Sequence, residues 1–330
     1  MVSGDREKLN TLARKYKVRG YSYEQYADCL NSGLIDAVYI ALPNYMHGEY
    51  TEAAARAGIH VLCEKPMAMD EAECESMIAA AQTAKIKLMV AYRLHFERGN
   101  LQAVEWVNSG KIGEPKIFSS VFSQVVKAGN SRLSGVNGGP PYDMGIYCIN
   151  AARYLFRSEP LEVMGWNFGG DPERLREVPA TTTAVMRFPE EHVATFSCSF
   201  DVSDRSAYEV IGTKGTVKVD PAYEMASALK GGLTVGSRTS KRTFAKRDQF
   251  APELEYFSDC ILNDIELESS GREGLADVRV IRAIVESAEN NRPVSVKKTE
   301  VNARPTLQQE IAKPAINNPP SMVRAEPPAP

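Results

Sequence analysis

The sequence lacks long apolar runs, an excess of basic charge and closely spaced cysteines. Its apolar runs, such as residues 37–43, fall far short of the ~20 residues that a membrane helix needs, and its start lacks the apolar core of a signal peptide. Lys and Arg number 39 against 42 Asp and Glu, which argues against a nucleic-acid partner. The six cysteines are scattered without a CxxC pair, as is typical of reduced thiols. We therefore expect a cytoplasmic chain with no membrane or nucleic-acid partner, and we assign no metal ligands.

The composition is that of an ordinary globular protein. Of the 330 residues, 43% are apolar and 25% are charged, and the net charge is -3. This length corresponds to one large domain or two ordinary ones with a sizeable core.

Strand and helix patterns alternate through residues 1–115. They predict helices and buried strands in the order helix 6–15, helix 23–30, strand 36–42, helix 47–57, strand 60–63, helix 70–84 and strand 87–92. Such alternation requires crossover connections and indicates a parallel sheet that is covered on both faces. Ligands of parallel sheets bind beyond the carboxyl ends of the strands. We therefore expect a first α/β domain over 1–115, with its functional residues in the loops LPNYMH, CEKPM and AYRLHF.

After residue 115 the pattern changes to β-branched and aromatic runs separated by turn residues. Runs such as TTTAVMRF and HVATFSCSF, with a hairpin connection at 212–215, predict a large, mainly antiparallel sheet. Helical patterns interrupt it at 144–156, 252–263 and 275–290. We expect a second, α+β domain over 116–296, in which one side of the sheet packs on these helices and the other is available as a subunit interface.

The C-terminal tail, 297–330, is rich in proline. It contains 7 prolines in 34 residues and few large apolar groups. It is too poor in buried surface to fold alone, although it can lie as an arm along a neighbouring surface.

Lys65 follows the second predicted strand, in the sequence Glu64-Lys65-Pro66. Pro66 restricts Lys65 to extended conformations, and a lysine at the carboxyl end of a parallel strand points towards the ligand crevice. Its ammonium there donates to a substrate oxygen, or assists proton transfer if its pKa is lowered. The alternative, which spacing alone favours, is a solvated loop lysine beside a turn proline.

Asp143 and Tyr147 lie four residues apart, where a glycine- and proline-rich loop runs into a predicted helix. On a helix they share a face, so that the carboxylate can orient a substrate hydroxyl while the tyrosine acts on it as acid or base. The alternative, which these two residues alone favour, is that Asp143 caps the helix and Tyr147 is half-buried packing.

Arg93, His95 and His47 follow or precede strand ends. Arg93 is a candidate for binding a phosphate or a sugar hydroxyl. His95 is a candidate for facing the substrate, although a loop histidine is more often solvated. His47 is a candidate for contacting a cofactor, or is simply the first residue of a helix.

The beginning of the chain offers a possible phosphate site. The small Ser3 with the basic Arg6 and Lys8 suits the 2′-phosphate of NADP, whereas an NAD site places an acidic residue on the ribose. Asp5 falls one or two residues late for that role. The alternative is a solvated, charged helix start.

Taken together, these stretches resemble the glucose–fructose oxidoreductase/inositol dehydrogenase family (Gfo/Idh/MocA). EKP alone is weak evidence, but PN-x-x-H, EKP and D-x-G-x-Y-C in this order are specific. The resemblance covers residues 1 to about 296, and the tail resembles members of the glucose–fructose branch. It rests on VYIALPNYMH (38–47), AGIHVLCEKPMAM (57–69), KLMVAYRLHFE (87–97), GGPPYDMGIYCINAARYLF (138–156) and GLADVRVIRAIVESA (274–288).

The resemblance implies a Rossmann domain followed by a domain with a large open sheet that commonly mediates oligomer contacts. It implies hydride transfer between a nicotinamide and a sugar or cyclitol carbon. Most members have histidine where this chain has Tyr147. The tyrosine form resembles glucose–fructose oxidoreductase and NADP-dependent aldose and dihydrodiol dehydrogenases, in which this tyrosine is the proposed acid/base and the neighbouring lysine favours loss of its proton.

The residues and the resemblance together assign three sets of positions. Lys65 is implied to contact the reacting hydroxyl and the nicotinamide ribose, and Asp143 to position the substrate. The catalytic residues are Lys65, Tyr147 and Asp143. The substrate contacts are Lys65, Arg93, His95, Asp143 and Tyr147. The cofactor contacts are Ser3, Arg6, Lys8, Leu42, Pro43, Asn44, His47, Glu64, Lys65 and Arg93.

One feature of the family, the G-x-G-x-x-G loop, does not occur in the 330 residues. In the family, a strand, this loop and a helix precede the segment that opens this chain, and the helix N-terminus binds the pyrophosphate. We therefore expect a fragment of a longer parent, N-terminally truncated, whose Rossmann domain lacks its first strand and glycine-rich loop. Such a fragment is expected to bind cofactor poorly or not at all, and its compartment stays open to a periplasmic alternative.

The sequence thus favours an NADP-dependent oxidoreductase acting on an aldose or polyol hydroxyl, with NAD as the less favoured cofactor. We expect a homo-oligomer formed through the sheet of the second domain. The alternative is a non-catalytic sugar- or cofactor-sensing protein or an oligomerisation remnant. The missing glycine loop favours this alternative, and the retained Lys65, Asp143 and Tyr147 favour the enzyme.

Overall fold

Strands and helices alternate in the first third of the chain and strands dominate the rest, in a computed structural model that describes residues 1–301 and 303–316. The helices are α1 (Arg6–Tyr16), α2 (Tyr26–Leu30), α3 (His47–Arg56), α4 (Glu71–Ala84), α5 (Arg98–Asn108), α6 (Ile146–Phe156), α7 (Ala251–Leu262) and α8 (Gly271–Asn290). The strands are β1 (Ala37–Ile40), β2 (His60–Glu64), β3 (Leu88–Ala91), β4 (Pro115–Ser123), β5 (Glu162–Phe168), β6 (Thr181–Arg187), β7 (Val193–Ser199), β8 (Arg205–Gly212), β9 (Gly215–Val219), β10 (Leu229–Val235), β11 (Arg238–Phe244), β12 (Arg247–Asp248), β13 (Val294–Ser295) and β14 (Lys313–Pro314). Within these described residues, every helix is too short or too polar to cross a membrane.

The first sheet consists of β1, β2 and β3 in that order, all parallel. Val61 and Cys63 pack with α3 and α4 on one face, whereas Leu62 and Met89 pack with Phe257 of α7 on the other. The predicted parallel sheet with two covered faces is therefore confirmed. The expectation for α7 is corrected, because this helix packs on the first sheet and not on the second. Its apolar periodicity shows which of its faces is buried, but not which sheet that face meets.

The second sheet has nine strands in the order β11-β10-β9-β8-β4-β7-β6-β5-β13. Only β4 and β7 run parallel, and the other neighbours are antiparallel, so the sheet is mainly antiparallel as predicted. The hairpin predicted at 212–215 joins β8 to β9. Because side chains alternate along a strand, Ala184 and Met186 are buried under the helices while Thr183 lies on the opposite face. Helices α5, α6 and α8 cover one face, and the described residues leave the other uncovered.

Helix α8 joins the two sheets. It packs on both β3 and β5. Its Asp277 accepts a hydrogen bond from Tyr92 Oη, just after β3, at 2.6 Å. Arg279 on the same helix pairs with Glu71 of α4 at 2.9 Å. The predicted boundary between residues 115 and 116 stays a prediction, and it falls after the first residue of β4. Helices from much later in the chain pack on the first sheet.

The described part of the tail, 303–316, lies along the surface of the same chain. Its strand β14 pairs with β12. Arg304 forms an ion pair with the buried Glu273 at 3.4 Å, and Glu310 pairs with Arg247 at 2.7 Å. Ion pairs and backbone hydrogen bonds therefore bind this segment of the tail to the rest of the chain, although the segment has little apolar surface of its own. Residues 302 and 317–330 of the tail lie outside the described residues.

Candidate active site

The carboxyl ends of β1, β2 and β3 meet at one edge of the first sheet, and each is followed by residues that the sequence singled out. β1 leads into Leu42 and Pro43, β2 ends at Glu64 and leads into Lys65, and β3 leads into Arg93. Pro43 is exposed and Leu42 is half-buried, so this edge is open to solvent beside β1. The three loops predicted to be functional therefore lie at the same edge.

Lys65 lies against Asp143 of the second domain. Its Nζ donates to the Asp143 carbonyl at 2.9 Å and lies 3.4 Å from the carboxylate Oδ1, and 15% of its side chain is exposed. Arg132 pairs with the other carboxylate oxygen at 3.1 Å. Asp143 belongs to a π-helical turn, Pro141–Gly145, and does not cap α6. Both alternatives are therefore wrong: Lys65 is not a solvated loop lysine, and Asp143 is not a helix cap.

The charges around this pair fix its protonation. Burial raises the pKa of Asp143, but Lys65 and Arg132 outweigh burial and hold that pKa below its ordinary value of 3.8. Burial lowers the pKa of Lys65, but Tyr147, Asp143 and Glu64 outweigh burial, so the pKa of the lysine is raised. Lys65 is therefore an ammonium and Asp143 a carboxylate at neutral pH. The hypothesis that Lys65 assists proton transfer through a lowered pKa is therefore wrong.

Tyr147 lies in the first turn of α6, between the two cations of the site. Lys65 Nζ is 4.9 Å from the centre of its ring, and Arg93 Cζ is 5.0 Å from it. Arg93 Nε donates to Tyr147 Oη at 3.2 Å. The ring also packs edge-on against Phe122, so the packing interpretation holds alongside the functional one. Asp143 and Tyr147 both face Lys65, as their spacing predicts.

Arg93 has a protein partner at each of its three nitrogens. Nε donates to Tyr147, Nη1 to Gln249 Oε1 and Nη2 to the Tyr223 carbonyl, the last at 2.6 Å. The residue is 8% exposed. This differs from the expected open ligand for a phosphate or a sugar hydroxyl. In the described residues the Arg93 guanidinium is fully paired within the protein, and one of its partners is the Tyr147 hydroxyl.

His47 is fully buried between the loops that follow β1 and β2. Its Nδ1 lies 2.9 Å from the Pro66 carbonyl, and its Nε2 lies 2.9 Å from the Leu42 carbonyl. Burial lowers the pKa of His47, so the neutral ring donates to one of these carbonyls, and its fully buried side chain leaves the predicted cofactor contact without an exposed atom to make it. The neighbouring Asn44 donates to the Asn137 carbonyl at 3.0 Å and ties the same loop to the second domain.

His95 is also inside the protein and not solvated, and it lines a small cavity together with Lys65, Arg93 and Tyr147, so its contact with a substrate stays a prediction. Its Nδ1 lies 2.8 Å from Glu268 Oε2, and its Nε2 lies 2.7 Å from Asn150 Oδ1. Burial lowers the pKa of His95, but the Glu268 carboxylate outweighs burial and raises it. The protonated ring has an N–H at both nitrogens, so Nδ1 donates to the Glu268 carboxylate and Nε2 donates to the Asn150 amide oxygen. His95 therefore supports α6 from behind the site through Asn150.

Ser3, Arg6 and Lys8 lie where the first segment enters α1. The Asp5 carboxylate caps this helix by accepting from the backbone of Glu7 and Lys8, at 3.0 Å each. Asp5 N donates to Ser3 Oγ at 3.2 Å. Arg6 is exposed and Lys8 is half-buried. The contact of these residues with a 2′-phosphate stays a prediction.

The sequence analysis did not identify three further residues at this edge, Arg132, Gln249 and Glu253. Arg132 lies in the segment before Asp143, Gln249 lies between β12 and α7, and Glu253 lies in the first turn of α7. Glu253 is 2% exposed, and its Oε1 has no hydrogen-bond partner among the described residues. Gln249 contacts Arg93, which lies 156 residues earlier in the chain. No motif or periodicity in a single sequence indicates a contact between residues so far apart.

The residues at this edge fit the nicotinamide half of a dinucleotide. Glu64 accepts from Tyr39 Oη and from Lys65 N, which fixes a carboxylate where ribose hydroxyls can donate. The unpartnered Glu253 lies close enough to Glu64 and Arg93 for their charges to act on it. The glycine-rich pyrophosphate loop is not part of the 330 residues, so the fit extends to this half only.

Comparisons with known proteins agree with this arrangement. The family model "Oxidoreductase family, NAD-binding Rossmann fold" matches residues 1–92, and "GFO/IDH/MocA C-terminal domain" matches residues 100–218. The D-xylose 1-dehydrogenase [NADP(+)] of Haloarcula marismortui is 32% identical, over 89% of this chain and 84% of its own length.

Solved structures show the same fold. The aldose-aldose oxidoreductase of Caulobacter crescentus, complexed with glycerol, has a TM-score of 0.84 at 36% identity, covering 89% of this chain and 90% of that chain. A levoglucosan dehydrogenase in complex with NADH and levoglucosan has a TM-score of 0.80 at 23% identity, over 90% of both chains, which is evidence for the fold alone. The order of the motifs, the two matched domains and these relatives lead to one assignment. The chain belongs to the Gfo/Idh/MocA family of NAD(P)-dependent oxidoreductases.

Proposed function

We propose that this protein is an NADP-dependent oxidoreductase that transfers hydride between a nicotinamide and the hydroxyl-bearing carbon of an aldose or related polyol. The proposal rests on the convergence of Lys65, Asp143, Tyr147 and Arg93 at the carboxyl ends of the parallel strands. An ammonium, a carboxylate and a phenol in contact can bind a sugar hydroxyl and move its proton. The D-xylose dehydrogenase and aldose–aldose oxidoreductase relatives support an aldose as the substrate.

Tyr147 is the acid/base in this proposal. During oxidation its ionised oxygen accepts the proton of the reacting hydroxyl, and during reduction its phenol returns that proton. The Lys65 ammonium donates to the reacting oxygen and stabilises the negative charge that develops there. The Asp143 carboxylate accepts from a neighbouring sugar hydroxyl and so orients the ring. A bound nicotinamide supplies or takes up the hydride.

Two groups of residues would hold the cofactor. Glu64 and the loop after β1 serve the nicotinamide ribose. Ser3, Arg6 and Lys8 serve the 2′-phosphate, because two cations and a hydroxyl suit a phosphate better than a ribose diol. The NADP-dependent xylose dehydrogenase relative supports this choice of cofactor.

The oligomer belongs to the same proposal. The uncovered face of the nine-stranded sheet presents Ile117 and Val121 of β4 and Trp166 and Phe168 of β5 as exposed apolar side chains. They form two apolar pairs separated by β7 and β6, and exposed apolar side chains on an uncovered sheet face are typical of a protein–protein interface. A second copy of this chain, joined through the same face, would bury them.

A second candidate is a non-catalytic protein of the same family that senses a sugar or a nucleotide. The observation that favours it is the missing G-x-G-x-x-G loop, which leaves the pyrophosphate without its usual backbone donors in these 330 residues. Turnover separates the two candidates, because the sensor binds its ligand but does not oxidise it.

The experiment is thermal unfolding of the 330-residue chain with NADPH and with NADH, followed by an assay of NADP+ reduction with aldoses such as D-xylose. Cofactor at 100 times its Kd should stabilise the native state by about 2.7 kcal/mol, a shift of several degrees. A chain that lacks the glycine-rich loop is expected to bind cofactor poorly, whereas the proposed enzyme requires a shift with NADPH that exceeds the shift with NADH, and turnover of an aldose. Stabilisation without turnover would favour the sensor, and no stabilisation by either nucleotide would contradict the proposed enzyme.

A further inference from the structure

The carboxyl group of Glu253 is buried at the edge of the site without a full set of partners. It lies in the first turn of α7 and is 2% exposed. Its Oε1 makes no hydrogen bond within the described residues. An unpaired carboxylate in such a place is costly, so a buried carboxyl of this kind is either neutral or completed by a ligand.

The groups that act on Glu253 come from four elements around it. They are Tyr39 of β1, Glu64 at the end of β2, Arg93 after β3 and Asp248 of β12. Two of these groups are carboxylates, which disfavour a further negative charge. Arg93 is the cation among them, and its guanidinium already bonds to Tyr147, Gln249 and Tyr223.

The protonation of Glu253 follows from this environment. Burial, and then the Glu64 carboxylate, raise the pKa of Glu253 well above its ordinary value of 4.5, against the opposing charge of Arg93. A protonated carboxyl carries an O–H donor, whereas a carboxylate can only accept. The edge of the site thus holds two different carboxyl groups. Glu64 accepts hydrogen bonds from Tyr39 and from Lys65 N, while Glu253 has a donor to offer.

We propose that Glu253 is a further cofactor-binding residue that acts as a neutral carboxylic acid and donates a hydrogen bond to the carboxamide oxygen of a bound nicotinamide. This inference rests on the proposed function. The carboxamide oxygen is an uncharged acceptor, which suits a neutral donor in a buried place. It follows that NADPH binding weakens as the pH rises through the raised pKa of Glu253, because the donor is lost and a second negative charge appears beside Glu64.

The test is a fluorescence titration of NADPH into the intact chain and two variants across a pH series. Glu253→Gln keeps an N–H donor that does not titrate, so its affinity should stay within about twofold of the unmodified chain and should not fall on the alkaline side. Glu253→Ala loses the bond, and its Kd should rise by about tenfold. Asp259→Asn, which changes an exposed carboxyl on the same helix, is the matched control and should leave the affinity unchanged.

A cofactor analogue separates the donor from the opposite arrangement. The 3-acetylpyridine analogue of NADPH keeps the carbonyl oxygen and lacks the amide nitrogen. If Glu253 donates to the oxygen, Glu253→Ala should weaken the analogue by the same factor as NADPH. If Glu253 were a carboxylate that accepts from the amide nitrogen, the variant would bind the analogue as well as the unmodified chain does, and the proposal would be overturned.

Fold and function have separate controls. Thermal unfolding of both Glu253 variants should occur at the same or a higher temperature than that of the unmodified chain, because each removes the cost of burying this carboxyl. Equal NADPH affinity in Glu253→Ala and the unmodified chain overturns the assignment of Glu253 and leaves the proposed enzyme intact. No NADPH binding by the unmodified chain overturns both.

Discussion

Arg93 Nε donates to Tyr147 Oη across 3.2 Å, which links the loop after the third parallel strand to the first turn of α6. Lys65 lies instead above the tyrosine ring, with its ammonium bonded to Asp143. The two cations therefore make different contacts: Arg93 bonds to the tyrosine hydroxyl, and Lys65 bonds to Asp143 and, in the proposed function, faces the substrate. Since Arg93 and Tyr147 belong to different domains, the placement of the two sheets sets the direction of the hydroxyl.

Tyr147→Phe removes the phenol and keeps the ring that packs on Phe122. General acid–base catalysis contributes roughly 10²- to 10⁴-fold, so kcat for aldose oxidation should fall by about that factor while the Kd for NADPH stays unchanged. Steady-state kinetics with a parallel NADPH titration measures both. Tyr16→Phe, at an exposed position on α1, is the control. Turnover at the unmodified rate in Tyr147→Phe would refute its role as the acid/base.

Arg93→Lys keeps the charge and loses the planar fork that bonds to Tyr147, Gln249 and Tyr223. A misplaced hydroxyl slows the chemical step more than it weakens sugar binding, so we expect kcat to fall by about tenfold or more with little change in KM. Gln249→Leu removes one support of the guanidinium and should lower kcat in the same direction by a smaller factor. A rise in KM at constant kcat would instead mean that Arg93 binds the substrate directly.

Asp143 makes the stability of the protein depend on pH. Burial raises the pKa of its carboxyl, but Lys65 and Arg132 prevail and lower that pKa below 3.8 in the folded state. A lowered folded-state pKa gives stability that is fully present above the unfolded-state pKa and is lost as the pH falls through the folded value. Asp143→Asn should therefore unfold more easily than the unmodified chain at neutral pH, and the difference should shrink below about pH 4. Denaturant unfolding over a pH series measures this, and a difference that does not vary with pH would contradict it.

Arg304 should contribute to the stability of the fold although it belongs to the tail. It is 9% exposed and pairs with Glu159 and with Glu273, which are 11% and 1% exposed. Its removal leaves buried carboxylates with fewer cations, and breaking a buried pair typically costs about 3 kcal/mol. Arg304→Ala should therefore lower the Tm by several degrees. Arg292→Ala, which breaks the exposed pair with Glu286, should change the stability by about 0.5 kcal/mol or less. Similar decreases in Tm for Arg304→Ala and Arg292→Ala would show that the buried ion pairs of Arg304 stabilise the fold no more than the exposed pair of Arg292 does.

Val121→Glu tests the proposed oligomer. Val121 lies on the central strand β4 of the uncovered face and is 40% exposed in the single chain. A carboxylate there would be buried unpaired in an interface through this face, so the variant should elute as a smaller species in size-exclusion chromatography with light scattering. Leu34→Glu, at an exposed site outside the sheet, should leave the mass unchanged. An oligomer that survives Val121→Glu would place the interface elsewhere.

The sequence predicted where a candidate residue lies when that position depends only on the helix or strand to which the residue belongs. Lys65 lies at a strand end, and the carboxyl ends of parallel strands meet at one edge. Asp143 and Tyr147 share a face because they are one helical turn apart. Each of these placements follows from geometry over a few residues, and periodicity over a few residues is what a single sequence displays.

The histidines and Arg93 depend on partners that local patterns do not reveal. His95 is buried because it bonds to Glu268, 173 residues later. Arg93 is held by Gln249, 156 residues later. A solvated residue and a buried, fully paired one look alike in a short window, since the difference lies in the segment that packs over them. For the same reason the sequence located α7 but not the sheet that it covers.

The pairing of β14 with β12 has a consequence for synthesis of the chain. β12 leads directly into Gln249, which holds Arg93, which in turn orients Tyr147. The ribosome makes Arg93, Tyr147 and β12 before it makes β14, so the nascent chain contains the candidate site residues before the strand that pairs with β12 exists. The β12–β14 pairing is therefore a late event in synthesis, and it adds to the segment before Gln249 a support that the earlier part of the chain does not provide.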